Sequence, residues 1–434
     1  MRPQPGDQPE VVITGLGFVG AAGLGRAALE KTLTEGPAAS LLEAVQIPEQ
    51  AVLQPRQEDP RALLVGAPDL SPWVHPRAAR RLSRPSRFAV AAARMALEDA
   101  NLDPKDCEAP RVEGEAPRDG EDVPQRTGIY SATTFGPSDL TERLLRQIRD
   151  DGPQGASPFY FTESVANAPA AQVALACRAR GPNLTLTQRE AGPLLALAQA
   201  ATALRRRRIQ RALVIVTEEV TPLLFAFLDH FHALSRSPDG GARPFHRRRD
   251  GFLLAEGALA LVLESSDSST APRQLARVLA GARGFDPTAP RYRHGDGAEA
   301  LGESLLASLK SQGEELREID QVVSGASGSR AGDALEASVL RFVFPQEALP
   351  PVVTPKAALG EYAGGHLGAA VLAAAGRPSA PVEDFGPDPA LAITPHSGSP
   401  LSPPHRVLAT ALAAGGAAAW TLFAAPRIDG ESDG

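Results

Sequence analysis

Cysteine is scarce in this sequence, and its scarcity excludes several kinds of site. Of 434 residues only Cys107 and Cys177 are cysteines, so neither a disulfide framework nor a cysteine-rich metal site is expected. Cys177 ends a helical pattern before a glycine, which is typical of a small buried side chain. Cys107 lies in a polar segment without a neighbouring base. We therefore expect neither thiol to be a nucleophile, and no metal centre.

Long apolar runs and excess positive charge are also missing. Gly, Pro or Arg interrupts the Ala/Leu/Val-rich stretches before they reach the roughly 20 residues that a membrane-spanning helix needs. The opening MRPQPGDQPE is polar and has no basic-then-apolar leader. The formal net charge of -7 at pH 7 argues against nucleic acid and against an anionic membrane as partners. We expect a cytoplasmic protein.

Strand and helix patterns alternate along the chain in two successive rounds. The first round includes the strand patterns VVITGLGFVG, RTGIYSAT and RALVIVTEEV, and the second begins with GALALVLES. This order predicts a layered α/β fold of two similar halves, residues 1–250 and 251–434. The Gly-x-Gly of the first strand is weak evidence for a dinucleotide site, because the third glycine and the downstream acidic residue are not in place.

The stretch NLTLTQREAGPLLALAQAATAL, residues 183–204, predicts a strand, a tight turn and a buried helix. Such a turn presents one side chain at a helix N-terminus, where backbone N–H groups and the helix dipole can activate a nucleophile. The residue at that point is Glu190. The position suits a thiol or hydroxyl, but the sequence supplies a carboxylate.

Several blocks, in order along nearly the whole chain, share one pattern. The most specific is ALSRSPDGGARPFHRRRDGFLLAEGALALVLE; the others are VVITGLGFVG, SPFYFTESVANAPAAQVALACRARGPN, SGASGSRAGDALEASVL, PKAALGEYAGGHLGAA and LAAGGAAAWTLF. In these blocks the sequence resembles the β-ketoacyl synthase family, the condensing enzymes of fatty acid and polyketide synthesis. The resemblance implies a thiolase-like layered αβαβα fold built from two similar halves, and no cofactor.

The resemblance also identifies the reaction positions. Active members join an acyl group to a Cys above the buried helix and use two His residues to support decarboxylation and stabilise the oxyanion. Counted from the flanking family residues, the Cys position falls on Glu190, the first His position on Gly325 and the second on Glu361. An insertion of about five residues after Lys356 would instead place His366 at the second His position. These positions are degenerate, because they offer no nucleophile and Gly325 has no side chain to donate a hydrogen bond.

The motif Glu190-Ala191-Gly192-Pro193 is similar to the Gln-Ala-Gly-Gly of the chain length factor. That ketosynthase-like subunit pairs with an active ketosynthase in type II systems. The closing turn adds Ala411, Ala413 and Ala414, where active members carry bulky gate residues. The resemblance therefore implies a non-catalytic subunit whose small residues widen an acyl tunnel.

The same resemblance implies the partners. In the family, the strand before the nucleophile pairs with its counterpart across the dimer, which places Thr185 and Leu186 in the contact. The expected partners are an active ketosynthase, in a heterodimer, and an acyl carrier protein with its phosphopantetheine-bound acyl chain.

Other interpretations stay open. Glu190 and Glu361 could act as acid and base on a carrier-bound acyl chain if their pKa values are split, or the chain could be a standalone homodimeric acyl-binding scaffold. The arginine run at 204–211 could dock an acidic carrier protein or provide cations that a helix C-terminus favours. Glu218 and Glu219 could be a catalytic carboxylate pair or structural residues.

Overall fold

The computed structural model describes residues 8–35, 41–107, 125–237, 241–267, 269, 271–345, 348–377, 386–397 and 401–427. Its strands are β1 Val11–Gly20, β2 Gly23–Leu24, β3 Leu42–Ala44, β4 Arg61–Leu63, β5 Gln125–Ala132, β6 Asn183–Leu186, β7 Ile209–Glu218, β8 Gly257–Ser265, β9 Ala276–Phe285, β10 Gln321–Val323, β11 Val352–Val353, β12 Arg406–Leu412 and β13 Ala417–Ala424.

The helices follow the same chain order. They are α1 Gly25–Glu35, α2 Pro76–Ala79, α3 Arg84–Asp99, α4 Ser138–Asp151, α5 Pro158–Ser164, α6 Ala168–Ala176, α7 Gly192–Arg205, α8 Pro222–His230, α9 Ala298–Ser311, α10 Arg330–Val343, α11 Lys356–Leu359 and α12 Gly365–Ala374. In the described part of the chain, no helix has the length and apolar character needed to cross a membrane.

The central sheet shows an internal repeat. Its strand order is β11-β10-β12-β13-β9-β1-β8-β7-β5-β6. Each end of this order begins with three parallel strands and continues with two antiparallel ones. We call β11, β10, β12, β13 and β9 the C-terminal run, and β6, β5, β7, β8 and β1 the N-terminal run. The two runs meet where Val11–Ile13 of β1 pairs with Ala276–Val278 of β9. β8 follows the predicted boundary in sequence but lies in the N-terminal run, and the division at residue 250 stays a prediction.

Helices lie between and outside the two runs of strands. The apolar helices α7 and α12 share one core cluster with strands of both runs. A helix that is apolar on all sides is stable only when it is buried in this way. α3 and α6 share a second cluster with the outer face of the N-terminal run, and α9 and α10 a third with that of the C-terminal run. The result is the five-layered αβαβα arrangement, which confirms the predicted fold.

Candidate functional site

The predicted strand, turn and helix around Glu190 are present. β6 leads into a short 3-10 turn, Arg189–Ala191, and α7 begins at Gly192 with a proline in its first turn. Arg189 has a left-handed backbone with φ of 46°, and its guanidinium lies 5.3 Å from the ring centroid of Tyr292. Arg189 therefore stacks on an aromatic ring and leaves Glu190 to other partners.

Tyr362 is the hydrogen-bond partner of Glu190. Its hydroxyl donates to Oε1 of Glu190 over 3.2 Å, while Oε2 is buried without a partner among the described residues. Edge-on contacts with Phe135 and Phe252 hold the Tyr362 ring, at centroid distances of 5.3 and 5.7 Å. Burial raises the pKa of Tyr362 well above its usual value, and the charge of Glu190 adds to that rise. The phenol therefore keeps its proton and can donate it to the hydrogen bond.

Glu361 forms a buried ion pair. Its Oε1 lies 2.6 Å from Nζ of Lys356, and the two side chains are only 3% and 4% exposed. The backbone of Glu361 is fixed by a bond from its N–H to the carbonyl oxygen of Leu253, at 2.7 Å. Burial raises the pKa of Glu361, Lys356 opposes that rise, and the charge of Glu190 adds to it. The carboxylate is thus held by one cation inside the protein.

The two carboxyl groups border one small cavity. Its volume is about 20 Å³, and its polar lining includes Glu190, Glu218, Lys356, Glu361, Tyr362 and His366. A space of this size holds about one water molecule. Burial raises the pKa of Glu218 to about 7, although N–H groups of Thr134 and Phe135 donate to its carboxylate. The cavity therefore brings several ionisable side chains together and is too small for an acyl chain.

His366 also lies in this cavity wall, in the first turn of α12. Its Nε2 lies 3.4 Å from the carbonyl oxygen of Val323. Burial, together with the positive charge of Lys356, lowers the pKa of His366 to about 3, so the imidazole is neutral at pH 7. Both candidates for the second His position, Glu361 and His366, thus lie at the same cavity, and the choice between them stays open.

Gly325, the candidate for the first His position, follows β10. Its N–H donates to Oε1 of Glu336 at 3.1 Å and to Oγ1 of Thr410 at 2.9 Å. A Cβ at this position would lie 2.4 Å from the carbonyl oxygen of Thr410 and 3.1 Å from Cα of Ala411. The strand β12 therefore occupies the space that a side chain would need.

The three alanines of the proposed gate lie at the end of β12. Ala411 and Ala413 are buried in the central core cluster, which also contains Ala191 from the turn before α7. Ala414 is half-buried in the turn that the N–H of Gly416 closes on the carbonyl of Ala413. Ala411 and Ala413 are thus packed residues of this core while Ala414 lies in the turn beside it, and the role of the three alanines in a tunnel stays a prediction.

β6, the strand predicted to contact a partner, lies at an edge of the sheet. Among the described strands it pairs with β5 alone. Leu184 is 38% exposed, Thr185 and Leu186 are half-buried, and Oγ1 of Thr185 is buried without a described hydrogen-bond partner. The outer edge of β6 is available for further pairing, and the dimer contact itself stays a prediction.

The two cysteines are buried in the structure, and three residues of the arginine run contact other parts of the protein. Both cysteines are buried, and burial raises the pKa of Cys177 to about 12. Cys107 is fully buried, although its segment is polar. In the arginine run, Arg205 donates to backbone carbonyls of β9, and Arg207 and Arg211 pair with carboxylates. These three arginines thus have structural contacts outside α7, and both interpretations of the run stay open.

Some residues of the cavity do not follow from the sequence pattern. Tyr362 was not among the sequence candidates, although it follows Glu361 directly. Glu218 and Glu219 do not work as a pair, because Glu218 borders the cavity beside Glu190 and Glu219 borders a separate one. Adjacent residues at the end of a strand point to opposite sides, which explains the separation.

Comparison with known proteins gives related sequences. The family model for the β-ketoacyl synthase N-terminal domain matches residues 8–269. The 3-oxoacyl-acyl-carrier-protein synthase 2 of Staphylococcus aureus (strain N315) is 26% identical over 284 residues, 63% of this chain and 64% of that protein. The matched region thus spans less than two thirds of that relative. The protein of the same name from Coxiella burnetii is 26% identical over 374 residues, 84% of each chain.

Solved structures share the whole fold. The ishigamide ketosynthase/chain length factor has a TM-score of 0.82 at 24% identity, with 97% of this chain and 100% of that chain covered. A type II polyketide synthase acyl-carrier protein in complex with its ketosynthase has a TM-score of 0.80 at 20% identity, with the same coverage. Together with the family model, which covers more than half of the sequence, these findings show that the chain belongs to the β-ketoacyl synthase family.

Proposed function

We propose that this chain is a non-catalytic, chain length factor-like subunit. It pairs with an active ketosynthase of a type II polyketide or fatty-acid-like synthase and shapes the acyl tunnel of the pair. The observation that carries the proposal is that the side chains at two of the reaction positions already have partners within the protein. Glu190 is bonded to Tyr362, Glu361 is paired with Lys356, and the cavity between them has room for about one water.

The chemistry of the three reaction positions supports this proposal. A carboxylate at the head of α7 forms no persistent thioester, so Glu190 does not carry an acyl group. The negative charge of Glu361 opposes the enolate that decarboxylation of a malonyl group would produce. Gly325 lacks a donor side chain, and its backbone is packed against β12.

A subunit without catalytic groups can contribute to synthesis when its partner subunit is an active ketosynthase. We expect that partner to bind at β6. Its outer edge is unpaired among the described strands, and Leu184 is exposed beside it. Edge strands with exposed apolar side chains are sites for pairing with another chain. We expect the pair to bury about 2,000 Å² or more with an apolar centre, as obligate complexes do.

The names of the similar proteins guide the choice of partners. One solved relative is a ketosynthase/chain length factor, and another is a ketosynthase with its acyl-carrier protein. The curated relatives are named 3-oxoacyl-acyl-carrier-protein synthases. Here the active ketosynthase would supply the nucleophile, and its carrier protein would deliver the acyl chain.

Pairing can be tested by co-expressing the full chain with a Cys-bearing ketosynthase from the same organism and measuring the mass of the purified complex. Thr185→Arg should abolish the heterodimer, since an unpaired charge would be buried in an apolar contact. Thr202→Arg is the matched control, because Thr202 is exposed at the end of α7, and it should leave the pair intact. A stable homodimer that ignores the ketosynthase, unchanged by either substitution, would contradict the proposal.

A second candidate is acid–base chemistry by Glu190 and Glu361. It is favoured by one observation: both carboxyls border the same cavity, and Tyr362 donates to one of them while its backbone N–H donates to the other. Glu190→Gln keeps the shape and removes the acid. Turnover of an acyl-carrier thioester by the purified chain, lost in this variant, would establish the second candidate in place of the first.

A further inference from the structure

The turn between α11 and α12, residues 360–364, has an unusual backbone. Four of its five residues have a positive φ: Gly360 at 70°, Tyr362 at 71°, Ala363 at 46° and Gly364 at 80°. Non-glycine residues rarely adopt this left-handed region, and residues held in it are concentrated at functional sites. The N–H of Glu361 anchors the turn to the carbonyl oxygen of Leu253. The backbone therefore fixes where the side chain of Tyr362 lies.

The half-buried side chain of Tyr362 contacts two different environments. Its hydroxyl donates to Glu190 at 3.2 Å and borders the small cavity at the reaction positions. Its ring packs edge-on against Phe135 and Phe252 and belongs to an apolar cluster around α8. We call this the α8 cluster; its buried members include Leu224, Phe225, Leu228, Phe252 and Leu254. The phenol thus lies where the cavity meets the α8 cluster.

These contacts of Tyr362 limit what position 190 can accept. A group longer than the carboxylate of Glu190 would need more space than the cavity of about 20 Å³ provides. Against Glu218, Lys356 and Glu361, an apolar group would keep polar atoms from water without offering them hydrogen bonds, which is costly. Against the α8 cluster it would contact apolar side chains, but the ring of Tyr362 fills that direction. The ring therefore blocks the path that an apolar group would favour.

We propose that Tyr362 closes the reaction centre of this chain to acyl groups and sets the length of acyl group that position 190 accepts. The inference rests on the proposed function for its ligand, an acyl group. It needs no partner subunit, because the contacts that carry it lie within one chain.

Removal of the ring would join the cavity to the α8 cluster. A space left in an apolar core stays dry and binds apolar molecules. Every methylene of an acyl chain that is buried there adds hydrophobic stabilisation. Long acyl groups should therefore gain more than short ones when Tyr362 is truncated, and this difference is the signature of the proposed role.

The test compares Glu190→Cys with the double variant Glu190→Cys/Tyr362→Ala in the full chain. Each is incubated with the acetyl and the octanoyl thioester of N-acetylcysteamine, and the mass of the intact protein is followed over time. The introduced thiolate attacks the thioester carbonyl, a new C–S bond forms, and N-acetylcysteamine leaves as a thiolate that takes up a proton. The rate of octanoyl transfer relative to acetyl transfer reports the length that the position accepts.

We expect acetyl transfer at similar rates in both variants, because the acetyl group needs little space. Octanoyl transfer should be at least about tenfold faster in the double variant, since the burial of two methylenes already has an effect of this size. Adding Tyr362→Phe to Glu190→Cys keeps the ring without its hydroxyl and should leave octanoyl transfer slow. A merely structural role of Tyr362 would change the two thioesters alike.

Two further variants keep the test decisive. Phe342→Ala, added to Glu190→Cys, removes an exposed ring of α10 that is outside the cavity lining and the α8 cluster as described, and it should leave both rates unchanged. Tyr362→Gly replaces Tyr362→Ala if circular dichroism shows that the latter does not fold, because glycine adopts the left-handed backbone freely.

The proposal would be overturned by octanoyl transfer that is absent from the folded double variant or no faster there than in Glu190→Cys. An equal rise in acetyl transfer, or octanoyl transfer that is as fast with Tyr362→Phe as with Tyr362→Ala, would overturn it as well. A failure to pair with a ketosynthase would not change these rates, so the two proposals fail separately.

Discussion

The buried pair of Lys356 and Glu361 gives a prediction with a large expected effect. Lys356→Met keeps the length and apolar stem of the side chain and removes the cation. Exposed ion pairs contribute about 0–1 kcal/mol, whereas removing one partner of a buried pair costs about 3–5 kcal/mol. The exposures of 3% and 4% and the distance of 2.6 Å place this pair in the second class. We therefore expect Lys356→Met to lower the free energy of unfolding by about 3–5 kcal/mol at pH 7.

The cause of that loss is the uncompensated charge of Glu361, and this determines the controls. Adding Glu361→Gln to Lys356→Met should recover most of the loss. Lowering the pH should also reduce the loss, because burial already raises the pKa of Glu361 and the carboxyl then takes up a proton. Lys310→Met, on an exposed lysine of α9, should change stability by less than about 0.5 kcal/mol.

Urea unfolding followed by tryptophan fluorescence measures these changes, since Trp420 is buried in the C-terminal core. A loss below about 1 kcal/mol for Lys356→Met would refute the reasoning, because that is the range of an exposed pair. So would a double variant that is no more stable than the single one.

Three further predictions concern the same region. Gly325→Ala should destabilise by about 1–3 kcal/mol in urea unfolding, because its Cβ would lie 2.4 Å from a backbone oxygen of β12; Gly241→Ala, in open space, is the control, and equal effects would contradict this. The pKa of Glu218 is raised from 4.5 to about 7, so the folded state holds more protons and stability should fall as pH rises through this window; Glu218→Gln should flatten the fall, and an unchanged profile would count against it. Glu190→Cys should gain a thiol reactive to a thioester probe without gaining condensation, because the supporting groups are still missing; product formation by this variant alone would show otherwise.

The elements that depend on local pattern were predictable. The stretch 183–204 combines period-two alternation with a long apolar helical run, and the strand, turn and helix follow directly from those two periods. The layered fold of two halves follows from the repeated order of strands and helices, and the repeated strand pattern of the sheet agrees with it. Such features need little information from distant residues.

The surroundings of the site depend on distant residues and left-handed backbone. Tyr362 and Ala363 have φ of 71° and 46°, conformations that non-glycine residues adopt rarely and that no pattern in the sequence reveals. They bring Tyr362 to Glu190, which is far away in the chain. Cys107 is a second case, because it lies in a polar segment of the sequence but its thiol packs into the outer core of the N-terminal run. Tertiary contacts override the local pattern in both places.

The most direct test of the non-catalytic role is carbon dioxide release and product formation from malonyl- and acyl-loaded carrier protein. The purified chain alone should release no carbon dioxide above the buffer control, because Glu190, Gly325 and Glu361 supply neither the nucleophile nor the oxyanion donors. Adding a Cys-bearing ketosynthase partner should produce condensation, with a product whose length changes when Ala414 is enlarged to Phe. Release of carbon dioxide by the chain alone, at a rate that Glu190→Gln abolishes, would contradict this role and show that the chain is an enzyme.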